Sequence, residues 1–231
     1  MVIQGLQKLT LLDFPGHTAC TVFTAGCNFR CPFCHNASLV THIDAEPVCT
    51  EEEFFSFLNK RQGLLDGVAV TGGEPLLQKD IIPFVKKIRA LGFAVELDTN
   101  GSRPDVLKEI VGAGLVDYVA MDVKNTREKY PVTAGIDQKM LDDIEESIDY
   151  LISSNAVDYE FRTTLVKNFH TKDDIVSLSF RLQGAKRWFL QSFKDSGDLI
   201  DSSCVGFSDN EMRQMLDSAR FAAPFAEIRG I

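Results

Sequence analysis

The feature that most constrains the fold is a repeated alternation between short apolar segments and longer amphipathic ones. Residues 66–71 and 93–97 are short and apolar at their centres, and between them residues 81–91 carry apolar side chains at helical spacing. Strands of this kind, each followed by a helix, are typical of a parallel sheet covered by helices. About six such units can be counted, fewer than the eight of a closed barrel. The sequence therefore predicts an α/β fold with a partial (β/α)6 parallel barrel, and an open doubly wound sheet is the alternative.

No low-complexity linker interrupts the chain, and its 231 residues can bury a sizeable core. We therefore expect a single domain that spans residues 1–231. Within it, residues 1–16 hold short apolar stretches broken by Gly5, Asp13 and Pro15. This pattern predicts an N-terminal edge strand or hairpin extension, and residues 17–231 form the predicted core.

Composition narrows the classes of partner. The formal net charge of −9 argues against a nucleic-acid partner, because surfaces that bind nucleic acids are normally basic. No apolar run approaches the roughly 20 residues that span a bilayer, and the N-terminus lacks a signal-peptide pattern. We therefore expect a cytoplasmic protein with neither a nucleic-acid nor a membrane partner.

Half of the six cysteines lie in one short loop. Cys27, Cys31 and Cys34 have the spacing C-x3-C-x2-C and directly follow the first predicted strand of the core. Thiolates at this density can hold an iron–sulfur cluster. A four-iron cluster needs one ligand per iron, so three cysteines leave one iron open, and an open position is typical of reactive metal sites.

Two other interpretations of the cysteine loop stay open. A closed zinc site would need a fourth ligand, for which His35 is the only near candidate, and it directly follows Cys34. Alternatively, the thiols are small buried side chains that happen to be clustered. The remaining cysteines are scattered and indicate no second cluster: Cys20, Cys49 and Cys204.

Polar residues recur where the predicted strands end, and parallel α/β folds place their active sites at those ends. Gly72 and Gly73 permit a close approach of backbone to a ligand, and the Glu74 carboxylate beside them could receive an ammonium group. Taken singly, each such residue could instead be a turn, a helix cap or a surface charge. The remaining members of this set are Asp98, Asn100, Asp122, Lys124, Arg162, Thr164 and Gln191.

Together these motifs resemble the radical S-adenosylmethionine (radical SAM) superfamily. The resemblance rests on the cysteine loop, with Phe33 before its last cysteine and His35-Asn36 after it, and on the GGEP sequence at residues 72–75. Within that superfamily, residues 12–16, 23–31 and 97–101 are similar to the glycyl-radical-enzyme activases. The greatest similarity is to anaerobic ribonucleoside-triphosphate reductase activating proteins. Pyruvate formate-lyase activases share the DTNG and D-x-K patterns at residues 98–101 and 122–124.

The resemblance implies one [4Fe–4S] cluster held by Cys27, Cys31 and Cys34, with S-adenosylmethionine (SAM) on the fourth iron. It assigns the adenine to the backbone near Phe33 and His35, and it assigns cofactor binding to a further set of residues. These are Gly73 and Glu74 for the methionine ammonium, Asp98, Asn100, Asp122 and Lys124 for the ribose and methionyl end, and Gly72, Arg162 and Gln191 as additional contacts. Lys194 stands where the formate-lyase activases have a histidine.

The activity implied by the resemblance is reductive cleavage of SAM to a 5′-deoxyadenosyl radical, which takes a hydrogen atom from a glycine of a partner enzyme. Anaerobic ribonucleotide reductase is the expected partner, and flavodoxin or ferredoxin the expected reductant. Three alternatives stay open: a pyruvate formate-lyase-type activase, a small-molecule enzyme like 7-carboxy-7-deazaguanine synthase, and a zinc- or cluster-binding interaction module without catalysis.

Overall fold

The computed structural model describes residues 1–43 and 46–231 and contains an eight-stranded sheet. The strands lie in the sheet in the order in which they occur along the chain. β1 is antiparallel to β2, and every later strand is parallel to the one before it. The strands are β1 (Ile3–Thr10), β2 (Ala19–Thr24), β3 (Gly67–Gly72), β4 (Ala94–Thr99), β5 (Tyr118–Asp122), β6 (Asp158–Leu165), β7 (Trp188–Ser192) and β8 (Ala226–Arg229).

Helices occupy the connections between the parallel strands. They are α1 (Ser38–Thr41), α2 (Glu51–Asn59), α3 (Ile81–Ala90), α4 (Pro104–Gly112), α5 (Tyr130–Ala134), α6 (Gln138–Ser154), α7 (Lys172–Arg181) and α8 (Asp209–Ala219), with a 3-10 helix at Pro75–Leu77. Within the described residues, none of these helices combines the length and the apolar character that crossing a membrane requires.

This strand order confirms the predicted partial parallel barrel and excludes the doubly wound alternative. A doubly wound sheet reverses its strand order at a switch point, whereas here β2 to β7 follow one another without reversal. β8 adds a seventh parallel strand at one edge, and β1 covers the other edge as the antiparallel partner of β2. The division into a 1–16 extension and a 17–231 core stays a prediction.

Local sequence explains why these elements form where they do. The centre of β3, from Val68 to Val70, is buried on both faces, as a barrel strand must be when helices cover one face and the barrel interior lies on the other. Thr50 begins α2 with a reciprocal capping box, because its hydroxyl accepts from the Glu53 N–H while the Glu53 carboxylate accepts from the Thr50 N–H.

Three short elements were not anticipated, namely α1, α5 and the 3-10 helix, because three to five residues are too few for periodicity to appear. The predicted ends of two strands also shift. β4 continues to Thr99 and β5 to Asp122, so Asp98 and Asp122 lie within strands rather than after them. Their backbones continue the parallel ladder, which a hydrophobic pattern cannot reveal once polar residues begin.

Polar side chains fill the amino-terminal end of the barrel interior. The Tyr118 hydroxyl donates to Glu160 over 2.6 Å, and the Arg229 guanidinium donates to the same carboxylate over 2.7 Å. Below them the buried ring of Phe14 lies against Gly67, where a Cβ would come within 2.7 Å of it. Phe14, Tyr118 and Arg229 also line a cavity at this end of the barrel, and a separate cavity lies at the carboxyl ends of the strands.

Candidate active site

A cavity of about 220 Å³ lies among the carboxyl ends of the strands. The cysteine loop that follows β2 forms one wall, and the ends of β3 to β7 form the others. Every site residue predicted from the sequence lines this cavity except Glu74. The lining includes Cys27, Cys31, Phe33, Cys34, His35, Gly72, Gly73, Asp98, Asn100, Asp122, Lys124, Arg162 and Gln191.

The cysteine loop is held by backbone hydrogen bonds at its start and near its middle. Gly26, with φ of +84°, turns the chain out of β2, and its N–H donates to Leu39 O over 2.8 Å. The Arg30 N–H donates to Ala134 O at the end of α5, also over 2.8 Å. All three thiols are free, and burial raises the pKa of Cys27 to about 11 and that of Cys31 to about 12. Burial therefore favours the protonated thiol at Cys27 and at Cys31.

The two glycines after β3 are required by a close approach of two backbone segments. A Cβ on Gly72 would lie 2.2 Å from Thr24 O, and one on Gly73 would lie 2.1 Å from Gly26 O. The Glu74 N–H donates to that same Gly26 oxygen over 2.8 Å. The glycine pair thus lets the end of β3 lie directly against the start of the cysteine loop.

Glu74 itself lies behind the cavity wall, which differs from the prediction that its carboxylate faces a ligand. The carboxylate is fully buried and accepts from Leu76 N at 3.0 Å, Thr99 Oγ1 at 2.8 Å and Asn100 N at 2.7 Å. Burial raises the pKa of Glu74 to about 7, although these donors favour the carboxylate form. Glu74 therefore fixes the end of β4, and its influence on the cavity passes through Thr99 and Asn100.

Four charged side chains form a network across the cavity. Arg162 Nη2 donates to Asp98 over 2.6 Å, and Lys124 Nζ donates to Asp122 over 2.8 Å. Burial opposes the charge of Lys124, yet Asp122 outweighs it and raises the pKa of Lys124. Burial likewise opposes the charge of Asp122, yet Lys124 and Arg162 outweigh it and lower the pKa of Asp122. The cavity therefore offers fixed charges of both signs.

A loop that follows β7 contacts the cysteine loop, and no pattern in the sequence predicted this contact. The rings of His35 and Phe193 stack with centroids 5.4 Å apart, and His35 Nε2 lies 2.9 Å from Lys194 O. The Asp201 N–H then donates to Pro32 O over 2.8 Å. Lys194 thus meets the site through its main chain, on His35.

Several other cavity residues were not predicted from the sequence. Phe29, Thr71 and Thr99 line the cavity, and the two threonines lie in the last two residues of their strands. Their position at strand ends is the signal that could have identified them. Asn28, in the cysteine loop, accepts a hydrogen bond from Asn100. No local sequence pattern predicts a contact between residues so distant in sequence.

Comparison with known proteins assigns the chain to a family. The family model described as the radical SAM superfamily matches residues 21–178. The chain belongs to the radical SAM superfamily. It is accordingly a radical SAM enzyme, and such enzymes use a [4Fe–4S] cluster and SAM.

The sequence similarity to individual relatives covers most of the chain. A protein of Methanocaldococcus jannaschii named "Putative glycyl-radical enzyme activating enzyme MJ1227" is 32% identical over 220 residues, covering 93% of this chain and 90% of the relative. The pyruvate formate-lyase-activating enzyme of Clostridium pasteurianum is 27% identical over 155 residues, covering 64% of this chain and 63% of that one.

A solved structure of another protein has a similar fold. Streptococcus suis SuiB bound to S-adenosylmethionine superimposes with a TM-score of 0.70 at 13% identity. The superposition covers 90% of this chain and 49% of SuiB.

The residues around the cavity fit a cluster and SAM. Three free thiols from one loop face it, and iron–sulfur clusters are held by cysteine thiolates. SAM carries a carboxylate, an ammonium and a sulfonium, and the wall supplies both carboxylates and cations. Among the described residues, no three His, Cys, Asp or Glu side chains lie close enough to one another to hold a single metal ion.

Proposed function

We propose that this radical SAM enzyme is a glycyl-radical-enzyme activase whose substrate is a partner protein, with anaerobic ribonucleotide reductase as the partner. The observation that carries the proposal is the similarity of 93% of the chain to a relative named as an activating enzyme of this kind. The cavity supports the proposal, because three free thiols line it together with carboxylates and cations that can bind the charged groups of SAM.

Within the proposal, Cys27, Cys31 and Cys34 hold the [4Fe–4S] cluster and leave one iron for SAM. Both thiols that burial keeps protonated must lose their protons as the cluster binds, so cluster binding releases protons. The packing of the glycine pair against Gly26 fixes where the loop begins relative to β3, and this limits how far the thiols can move.

Charged side chains and main-chain groups of the cavity wall orient SAM in the proposal. Lys124, held by Asp122, is suited to the methionyl carboxylate, since a buried ammonium with one carboxylate partner still has two free donors. Asp98, held by Arg162, is suited to hydroxyl or ammonium donors of the ligand. Main-chain groups near Phe33 and His35 remain for the adenine, and Gln191 also lines the cavity.

When bound, the reduced cluster supplies the electron that cleaves SAM to methionine and a 5′-deoxyadenosyl radical. The chain's own part is to bind, to orient and to exclude water. No proton transfer by a side chain is needed to take a hydrogen atom from a glycine, which suits a wall whose carboxylates are already paired with cations.

The test mixes the anaerobically reconstituted enzyme with reductant, SAM and the anaerobic ribonucleotide reductase encoded in the same genome. We expect an organic radical doublet in electron paramagnetic resonance (EPR), together with 5′-deoxyadenosine and methionine. The matched control is the same reductase with its radical-bearing glycine changed to alanine, for which the doublet must be absent. A flavodoxin and a ferredoxin are compared with a chemical reductant as electron donors.

Two results would contradict the proposal at different levels. If SAM is cleaved but the doublet is absent with that reductase and present with a formate-lyase-type enzyme, the partner is wrong and the activase class stands. If the purified enzyme converts a small molecule with no protein present, the activase class itself is wrong.

A further inference from the structure

Two hydrogen-bond donors converge on the sulfur of Cys27. The Phe29 N–H lies 3.3 Å from Cys27 Sγ, and Asn100 Nδ2 lies 3.7 Å from the same atom. In residues 1–43 and 46–231 no corresponding donor is found at the sulfur of Cys31 or Cys34. One of the three cysteines of the loop is therefore distinguished from the other two by its polar surroundings.

The side-chain amide of Asn100 is fixed on every side. Its Oδ1 accepts from the Ser102 N–H at 3.0 Å and from the Ser102 hydroxyl at 2.6 Å, while its Nδ2 donates to Asn28 Oδ1 at 3.0 Å. Asn28 Nδ2 in turn donates to the Ser102 hydroxyl at 2.8 Å, which closes a ring of three side chains. The ring determines which end of the amide faces the cysteine and aims an N–H at sulfur.

The backbone of Asn100 is anchored as well. Its N–H donates to Glu74 over 2.7 Å, and Glu74 is the fully buried carboxylate behind the cavity wall. Asn100 is itself only 6% exposed. Both amide protons are thus committed to Asn28 and Cys27, so the side chain has no donor left for a ligand in the cavity.

Hydrogen bonds to cluster sulfurs are one of the factors that set the reduction potential of an iron–sulfur cluster. A donor aimed at a ligating thiolate stabilises negative charge on the sulfur, and that charge increases when the cluster accepts an electron. The donor therefore favours the reduced state. Its effect is larger in a buried site than in water, because the local dielectric constant is lower.

We propose that Asn100 is a positioning residue that makes the cluster easier to reduce by donating an N–H···S hydrogen bond to Cys27, with Asn28 and Ser102 holding the amide in place. This inference rests on the proposed ligation of the cluster by Cys27. It assigns Asn100 to the cluster ligand rather than to the ribose or the methionyl end of SAM.

The test compares Asn100→Leu with Asn36→Leu in the reconstituted enzyme. Asn36 lines the same cavity, but its Nδ2 donates to Gly72 O over 3.2 Å and makes no contact with a thiol. Neither change introduces a charge. In redox titrations followed by EPR, we expect Asn100→Leu to lower the ratio of reduced to oxidised cluster about tenfold at fixed ambient potential, which is about 59 mV for a one-electron couple. The Asn36→Leu variant should keep the wild-type midpoint.

A second measurement does not depend on how the variants fold. In the reduced wild-type enzyme, with asparagine labelled with ¹⁵N in its side chain, pulsed EPR should detect a ¹⁵N coupling and an exchangeable proton that is lost in D₂O. The Asn36→Leu enzyme should retain both signals. Absence of the ¹⁵N coupling from a wild-type enzyme that carries its cluster would overturn the inference.

The outcomes separate this inference from the proposed function. If Asn100→Leu loads a cluster and cleaves SAM with an unchanged midpoint potential, Asn100 does not tune the cluster, and the proposed function stands. If the wild-type chain takes up no cluster, or if Cys27→Ala still binds a normal one, the proposed ligation fails and the inference fails with it.

Discussion

Glu96 is a buried carboxylic acid for which the structure provides no hydrogen-bond partner among the described residues. It lies on β4, two residues before Asp98, and is 1% exposed, with both carboxylate oxygens unpaired. Burial, reinforced by the charge of Asp98, raises the pKa of Glu96 from 4.5 to about 10. At neutral pH the folded chain therefore holds a proton here that the unfolded chain has released.

The sign and size of the resulting pH dependence follow from linkage. Between pH 5 and pH 9 the folded state binds about one proton more than the unfolded state at this position, so the free energy of unfolding falls as pH rises. The contribution of one such group is about 1.4 kcal/mol per pH unit. A glutamine at position 96 resembles the protonated acid in shape but does not titrate, so it adds no pH dependence to the free energy of unfolding. From pH 6 to pH 8, Glu96→Gln should therefore gain about 2.7 kcal/mol relative to the wild type.

The assay is urea unfolding of the purified chain at pH 6, 7 and 8, with the variant and the wild type measured together. Glu52→Gln, at an exposed position on α2, removes a carboxylate without removing a buried one and serves as the matched control. The free energy of unfolding of this control should change with pH in the same way as that of the wild type. If the wild type and Glu96→Gln also differ by a constant amount across this range, the folded chain does not hold the extra proton and the reasoning is wrong.

Three further changes test the packing and the chemistry of the site. In urea unfolding, Gly73→Ala should lower the free energy of unfolding by about 2–4 kcal/mol, since the new Cβ would lie 2.1 Å from a backbone oxygen. The matched control is Gly112→Ala, at a helical position where a Cβ meets nothing within 4 Å, and this variant should keep the stability of the wild type. Cys31→Ala should abolish both cluster absorbance and SAM cleavage, whereas Cys49→Ala should retain both, and loss of the cluster in the latter would refute the ligand assignment. Lys124→Met should weaken SAM binding about 10- to 100-fold in calorimetry, and an unchanged affinity would contradict its contact with the carboxylate.

The sequence predicted the parts of the site that depend on local pattern, and it failed where side-chain direction or distant contacts decide. Cys31 and Lys124 were expected at the cavity because each follows a recognisable strand. The direction of Glu74 was not predictable, since it lies two residues after Gly72, whose φ of +123° accompanies a close contact with Thr24 at the end of β2. The pairing of Asn28 with Asn100 joins residues of different βα units, so only the folded chain brings them together.

The order of strands in the sheet also bears on when the cysteine loop can be completed during synthesis. Each new strand can add to the edge of the sheet already formed, so the barrel can assemble as it leaves the ribosome. The contacts that close over the loop come late, however, because Phe193, Lys194 and Asp201 belong to the loop after β7. At about 5–20 residues per second, Asp201 is made roughly 10–30 s after Cys34. For that interval the three thiols lie in a wall whose closing contacts from the loop after β7 have not yet formed.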